Sequence, residues 1–121
     1  MVALCYHLRQ VGKTPAYPTE LIARLAADED CRAIVLTARR DCLVLGLSIE
    51  DVWVVLQDLD GPACHFYKTM VSEKRPEDIF DVYDVFIDNL PIYLKFKVTT
   101  GPSGRQHVVV VVSFKRNEHY A

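Results

Sequence analysis

In the stretch "PIYLKFKV" (91–98), Ile92, Leu94, Phe96 and Val98 fall on one face of a two-residue period, and Tyr93, Lys95 and Lys97 fall on the other. A later run, "HVVVVVSFK" (107–115), alternates so that Val108, Val110, Val112 and Phe114 join the apolar set, leaving Ser113 and Lys115 with Tyr93. A tyrosine among lysines suits the cleavage of RNA by its own 2′-hydroxyl. That reaction needs a base for the hydroxyl, positive donors on the phosphate, and an acid for the leaving 5′-oxygen. Lysine and tyrosine both titrate near pH 10 in isolation, so both begin as proton donors at neutral pH. Crowding ammonium groups on one face lowers a lysine toward the range of a base. The same residues would also make a solvated strand face held by cross-strand salt bridges, and spacing alone favours this plainer reading.

Other chemistry finds little support. There is no Gly-rich phosphate loop, no GxSxG elbow and no HExxH pair. In "DVYDVFID", Asp81, Asp84 and Asp88 are spaced by three and four, which does not keep them on one strand face for a metal. His65 and His107 open β-prone runs, where a partly solvated imidazole needs no special role, and His7 and His119 lie near the chain ends. Cys5, Cys31, Cys42 and Cys64 are separated by 26, 11 and 22 positions with no CxxC pair. They read as buried thiols of a reducing compartment, not as zinc ligands. No metal and no cofactor is expected.

The elements that must position the Tyr/Lys face follow from periodicity. "YPTELIARLAADED" starts a helix at Pro18–Thr19, with Leu21, Ile22 and Leu25 as its apolar stripe. "CRAIVLTA" (31–38) is β-prone, and "RRDCLVLGLSIEDVWVVLQDLDG" reads as two helical pieces broken near Gly46–Ser48. Ser48 with Asp51 makes a capping-box variant, and Val52, Trp53, Leu56 and Leu59 share one helical face, so Trp53 is expected in the core. After Gly61–Pro62, strands are expected at 65–72, 79–87, 92–100 and 107–115, with turns at Asn89–Leu90–Pro91 and "TTGPSGRQ". Residues 1–14 are expected to be loosely ordered or to form an edge. Helices first and strands afterwards predict an α+β domain over residues 1–121, with N-terminal helices packed on a mainly antiparallel sheet.

With half of its 121 residues apolar and a quarter charged, the chain has the composition of an ordinary globular domain. The longest apolar run is far too short to span a bilayer and no leader pattern is evident, so no membrane association and a cytoplasmic location are expected. The net charge is −2, yet it is unevenly spread. Residues 1–62 hold six Lys/Arg against nine Asp/Glu, whereas residues 89–121 hold five against Glu118 alone. A basic end on a small protein points toward an anionic ligand such as nucleic acid.

Four stretches in order, "FYKTM" (66–70), "DVY" (81–83), "YLK" (93–95) and "VSFK" (112–115), resemble the MqsR-type toxins, the motility quorum-sensing regulator family of bacterial toxin–antitoxin systems. The helix "LGLSIEDVWVVLQDL" upstream of FYK is similar as well, and the resemblance covers roughly residues 18–118. It implies a RelE-like microbial ribonuclease fold and a metal-independent, sequence-selective mRNA endoribonuclease that acts without the ribosome. It implies catalytic roles for Lys68, Tyr93 and Lys115. Tyr67, Met70, Asp81, Lys95, Lys97 and Arg116 would be the RNA-binding residues. Where the family carries a glutamine before DVY this chain has Phe80, which passes that role to a neighbour such as Asp81 or changes how RNA is held. The implied partners are mRNA and a cognate antitoxin with a helix-turn-helix and, in some members, a zinc module. The alternative, which the Phe80 departure favours, is a non-catalytic RNA-binding or regulatory module on the same scaffold.

Overall fold

The computed structural model describes residues 8–12, 14–110 and 115–116, the first and last of these stretches as backbone only. In α1 (Thr19–Ala27), Ile22, Leu25 and Ala26 recur at helical spacing and are buried. The helix stops at Asp28, whose extended backbone and side chain, accepting from the Asp30 amide at 2.9 Å, start a single 3-10 turn at Glu29–Cys31. β2 (Arg32–Ile34) follows, then α2 (Leu36–Leu45), which ends on Gly46 at φ 74°, a left-handed conformation suited to glycine. The run 31–38 is therefore strand only at its start, because the chain turns into α2 at Leu36.

α3 (Ile49–Leu56) begins with the expected capping box. Ser48 Oγ accepts from the Asp51 amide at 3.2 Å, and Asp51 Oδ2 accepts from the Ser48 amide at 2.9 Å. Val52, Trp53, Leu56 and Leu59 are buried as their spacing requires, and the Arg32 guanidinium lies 5.1 Å from the Trp53 ring centroid.

The sheet comprises β1 (Leu8–Gly12), β3 (Cys64–Ser72), β4 (Ile79–Ile87), β5 (Leu90–Thr100), β6 (Gln106–Val110) and β2, in the order β1-β3-β4-β5-β6-β2. β7 (Lys115–Arg116) pairs with β5 beyond the reach of β6. Every pairing is antiparallel except β2 with β6. The chain is thus α+β with a mostly antiparallel sheet, and β1 forms one edge of it. The β4–β5 turn is tighter than the sequence reading placed it. Asp88 and Asn89, at φ 50° and 64°, make a two-residue turn, and Leu90–Pro91 already belong to the strand.

Alternation sorts the sheet into two sides. Tyr83, Val85, Ile87, Ile92, Leu94, Phe96, Val108 and Val110 join the buried residues of all three helices in one core. Burying each such aliphatic or aromatic side chain stabilises the fold by roughly 1.5–3 kcal/mol. Phe66, Tyr83 and Phe96 form an aromatic row on this helical side, with centroids 5.4 and 5.8 Å apart. The opposite side of β3, β4 and β5 carries the polar residues of interest.

Candidate functional site

The pairing register brings four chemistry-bearing positions into one line across the strands. His65 stands opposite Asp84, Asp84 opposite Tyr93, and Tyr93 opposite Lys115. Alternation puts Tyr93 and Lys115 on one face; that their backbones stand opposite each other is set by the register of β5 and β7. Residue type and spacing alone give neither His65 nor Asp84 a special role. Their pairing links strands nineteen residues apart in the chain, and no local pattern signals it.

A second line lies two positions along, where Lys68 stands opposite Val82 and Val82 opposite Lys95. Between the two lines β3 carries a bulge, because Phe66 pairs with Tyr83 but Lys68, not Tyr67, pairs with Val82. A regular strand would send Tyr67 and Lys68 to opposite sides; an extra residue lets neighbours share one. The Tyr67 ring accordingly meets Tyr93 edge to face, with centroids 6.2 Å apart, and the Lys68 ammonium sits 4.8 Å from the Tyr67 centroid. Tyr67 is 44% exposed while Lys68, Met70 and Tyr93 are half-buried, so the cluster is open to a ligand from solvent. Burial, followed by the neighbouring Tyr67 and Asp84, pushes the Tyr93 hydroxyl up to about 12. At neutral pH Tyr93 is a proton donor.

The remaining positions behave differently. Asp81 has no exposed surface and lies on the helical side, opposite Thr69 and Phe96. Its Oδ1 accepts from the Ala16 amide at 2.9 Å and from Thr69 Oγ1 at 2.6 Å, and its Oδ2 accepts from the Tyr17 amide at 3.0 Å. The RNA contact expected of Asp81 is therefore corrected: this carboxyl group fastens the 14–17 segment to the sheet. Tyr17 completes the attachment by donating to the Ile79 carbonyl at 2.6 Å.

Phe80 is fully buried on the Tyr93 side, and the ammonium groups of Lys95 and Lys97 lie 5.7 and 5.8 Å from its ring centroid. Lys95 is only 7% exposed, so it backs the site rather than reaching out from it. Lys97 is engaged by Asp78 Oδ1 at 3.1 Å, in a pair that is itself largely buried. An RNA contact by Lys97 would compete with this ion pair. Phe80 thus forms an apolar floor beneath two cations. The side chains of Lys115 and Arg116 lie outside the described residues; their backbones pair with Tyr93 and Ile92.

Cys31, Cys42 and Cys64 are buried free thiols, and burial pushes both Cys42 and Cys64 up to about 11. They are inert at neutral pH. Among the described residues no helix is long and apolar enough to cross a membrane.

No curated protein matches the chain. The family model described as the motility quorum-sensing regulator, toxin of MqsA, matches residues 14–116, a span that contains both lines of the site and the bulge between them. The chain therefore belongs to the MqsR toxin family, toxins of toxin–antitoxin systems that have an antitoxin as partner.

Proposed function

We propose that the protein is a metal-independent endoribonuclease that cuts mRNA in the cytoplasm without the ribosome, on a RelE-like ribonuclease fold. The observation that carries this reading is the Tyr67–Lys68–Tyr93 cluster, with Lys115 paired to Tyr93 through the backbone. Lys68 and Lys115 hold the charge of the scissile phosphate. The RNA 2′-oxygen loses its proton to a base and attacks phosphorus, forming a 2′,3′-cyclic phosphate. The bond to the 5′-oxygen breaks, and Tyr93, kept protonated by its burial, gives its proton to that oxygen. His65, exposed and in line with Asp84 and Tyr93, takes the first proton on this reading. Tyr67 offers a half-open ring for a base to stack on, with Met70 and Arg116 as further contacts. The antitoxin that holds the toxin inactive would carry a helix-turn-helix and, in some members, a zinc module.

The test uses the purified protein with mRNA, no ribosomes and a chelator. Fragments ending in 2′,3′-cyclic phosphate are expected, and Lys68→Ala and Tyr93→Phe should each slow their appearance by about a hundredfold or more. Cleavage by both variants at the parent rate would discard the assignment. Phe80 favours a second reading, because an apolar residue fully buried under Lys95 and Lys97 gives RNA no hydrogen bond. On that reading RNA binds in a salt-sensitive manner and is never cut.

A further inference from the structure

Helix α2 presents the wrong side to water. Its buried face carries the small residues Ala38 and Cys42, whereas Leu36, Leu43 and Val44 are 62%, 81% and 85% exposed. A surface helix ordinarily turns its largest aliphatic side chains inward. At 3.6 residues per turn, positions 36, 39, 40, 43 and 44 fall within about 140° of one another. Arg39 and Arg40, both exposed, therefore lie among the three aliphatic side chains on one stripe, and half-buried Asp41 falls off it. Neither guanidinium makes an ion pair with a described residue. An apolar patch left in water by a helix that could have buried it marks an interaction surface.

We infer that this outer face of α2 is the docking surface for the antitoxin, which meets it with an apolar segment bearing acidic residues. The two arginines set the charge of the partner. A second copy of this chain would bring Arg39 and Arg40 against their own equivalents across a twofold contact, a like-charge meeting. RNA would satisfy the arginines but would leave Leu43 and Val44 against a polar, wet surface. A protein segment with both acidic and aliphatic side chains matches the whole stripe. The inference rests on the family's pairing of toxin with antitoxin and is independent of RNA cleavage, because α2 lies on the helical side of the sheet and Tyr93 on the other.

The test measures the affinity of the full-length protein for its cognate antitoxin by titration calorimetry, beside Leu43→Ser/Val44→Ser and Arg39→Glu/Arg40→Glu. Each double variant is expected to bind at least about thirtyfold more weakly, the loss typical of residues central to an interface. Thermal midpoints should not move, since these side chains are already exposed. In cells, both variants should arrest growth even when the antitoxin is co-expressed. An antitoxin affinity within about twofold of the parent for both variants would overturn the inference. So would self-association of the parent that Leu43→Ser/Val44→Ser abolishes, or loss of RNA binding with antitoxin affinity intact. If the parent protein never cuts RNA, the nuclease proposal falls while the calorimetry still decides this one.

Discussion

Two polar groupings sit on the same three strands, one on each side of the sheet. On the helical side, Asp81 accepts three hydrogen bonds from Thr69 and the 14–17 segment, and no part of it meets water. On the other side, Tyr67, Lys68 and Tyr93 touch mainly through ring edges and an ammonium over a ring, and remain half-open. The first grouping is closed because its acceptors are matched by neighbouring donors. The second presents donors toward solvent. A buried polar group completes the fold when its partners come from the chain; donors turned outward await a ligand.

This contrast can be broken most sharply at Tyr93. Tyr93→Phe should lower RNA cleavage by about 10²–10⁴, the usual worth of a positioned acid, while the thermal midpoint stays within about 3 °C. A fall in midpoint with activity unchanged would put Tyr93 in the same class as Asp81. The reverse pattern is expected of Asp81→Ala. Losing a buried acceptor of three hydrogen bonds should destabilise the fold by about 3 kcal/mol or more, read by urea unfolding. Cleavage per folded molecule should persist, and a stable but inactive Asp81→Ala would restore Asp81 to the site.

A smaller effect is expected at the floor between the groupings. Phe80→Leu keeps the position apolar but removes the ring beneath Lys95 and Lys97, and should cost about 1 kcal/mol. Salt titration of RNA binding would show whether the two cations have also moved. Smallest at neutral pH is the titration of Tyr93. Its folded value is raised from 10.0 to about 12, so the unfolded chain ionises first. Stability is then full below pH 10 and declines as pH rises toward about 12. Equilibrium unfolding across that window should show a shallower decline for Tyr93→Phe, and an identical decline would mean that Tyr93 is not held neutral by the fold.

Much of the fold was legible because it is local. The two-residue period of 91–98 and the valine run, the Ser48–Asp51 box and the Val52–Trp53–Leu56 face each depend on residues a few positions apart. Errors arose where one residue shifts a boundary. The two-residue turn at Asp88–Asn89 lies one step before the expected Asn89–Leu90–Pro91, because both residues tolerate positive φ. Of the site, Lys68 and Tyr93 were named from motif resemblance, whereas the side of the sheet taken by Asp81 was not foreseen.

The sequence by itself determined the capping box and apolar face of α3, the apolar side of 91–98, the basic C-terminal end and the likeness to the family. Only the tertiary structure decided what meets what. The bulge that turns Tyr67 onto the side of Lys68 depends on counting residues on two strands at once. The line from His65 through Asp84 and Tyr93 to Lys115 requires three separate pairings to agree in register. The outward face of α2 could not be read from α2, since a helix buries whichever side the core can accommodate. Local pattern fixes how each segment folds; register and packing, which couple distant residues, fix which side chains share a surface.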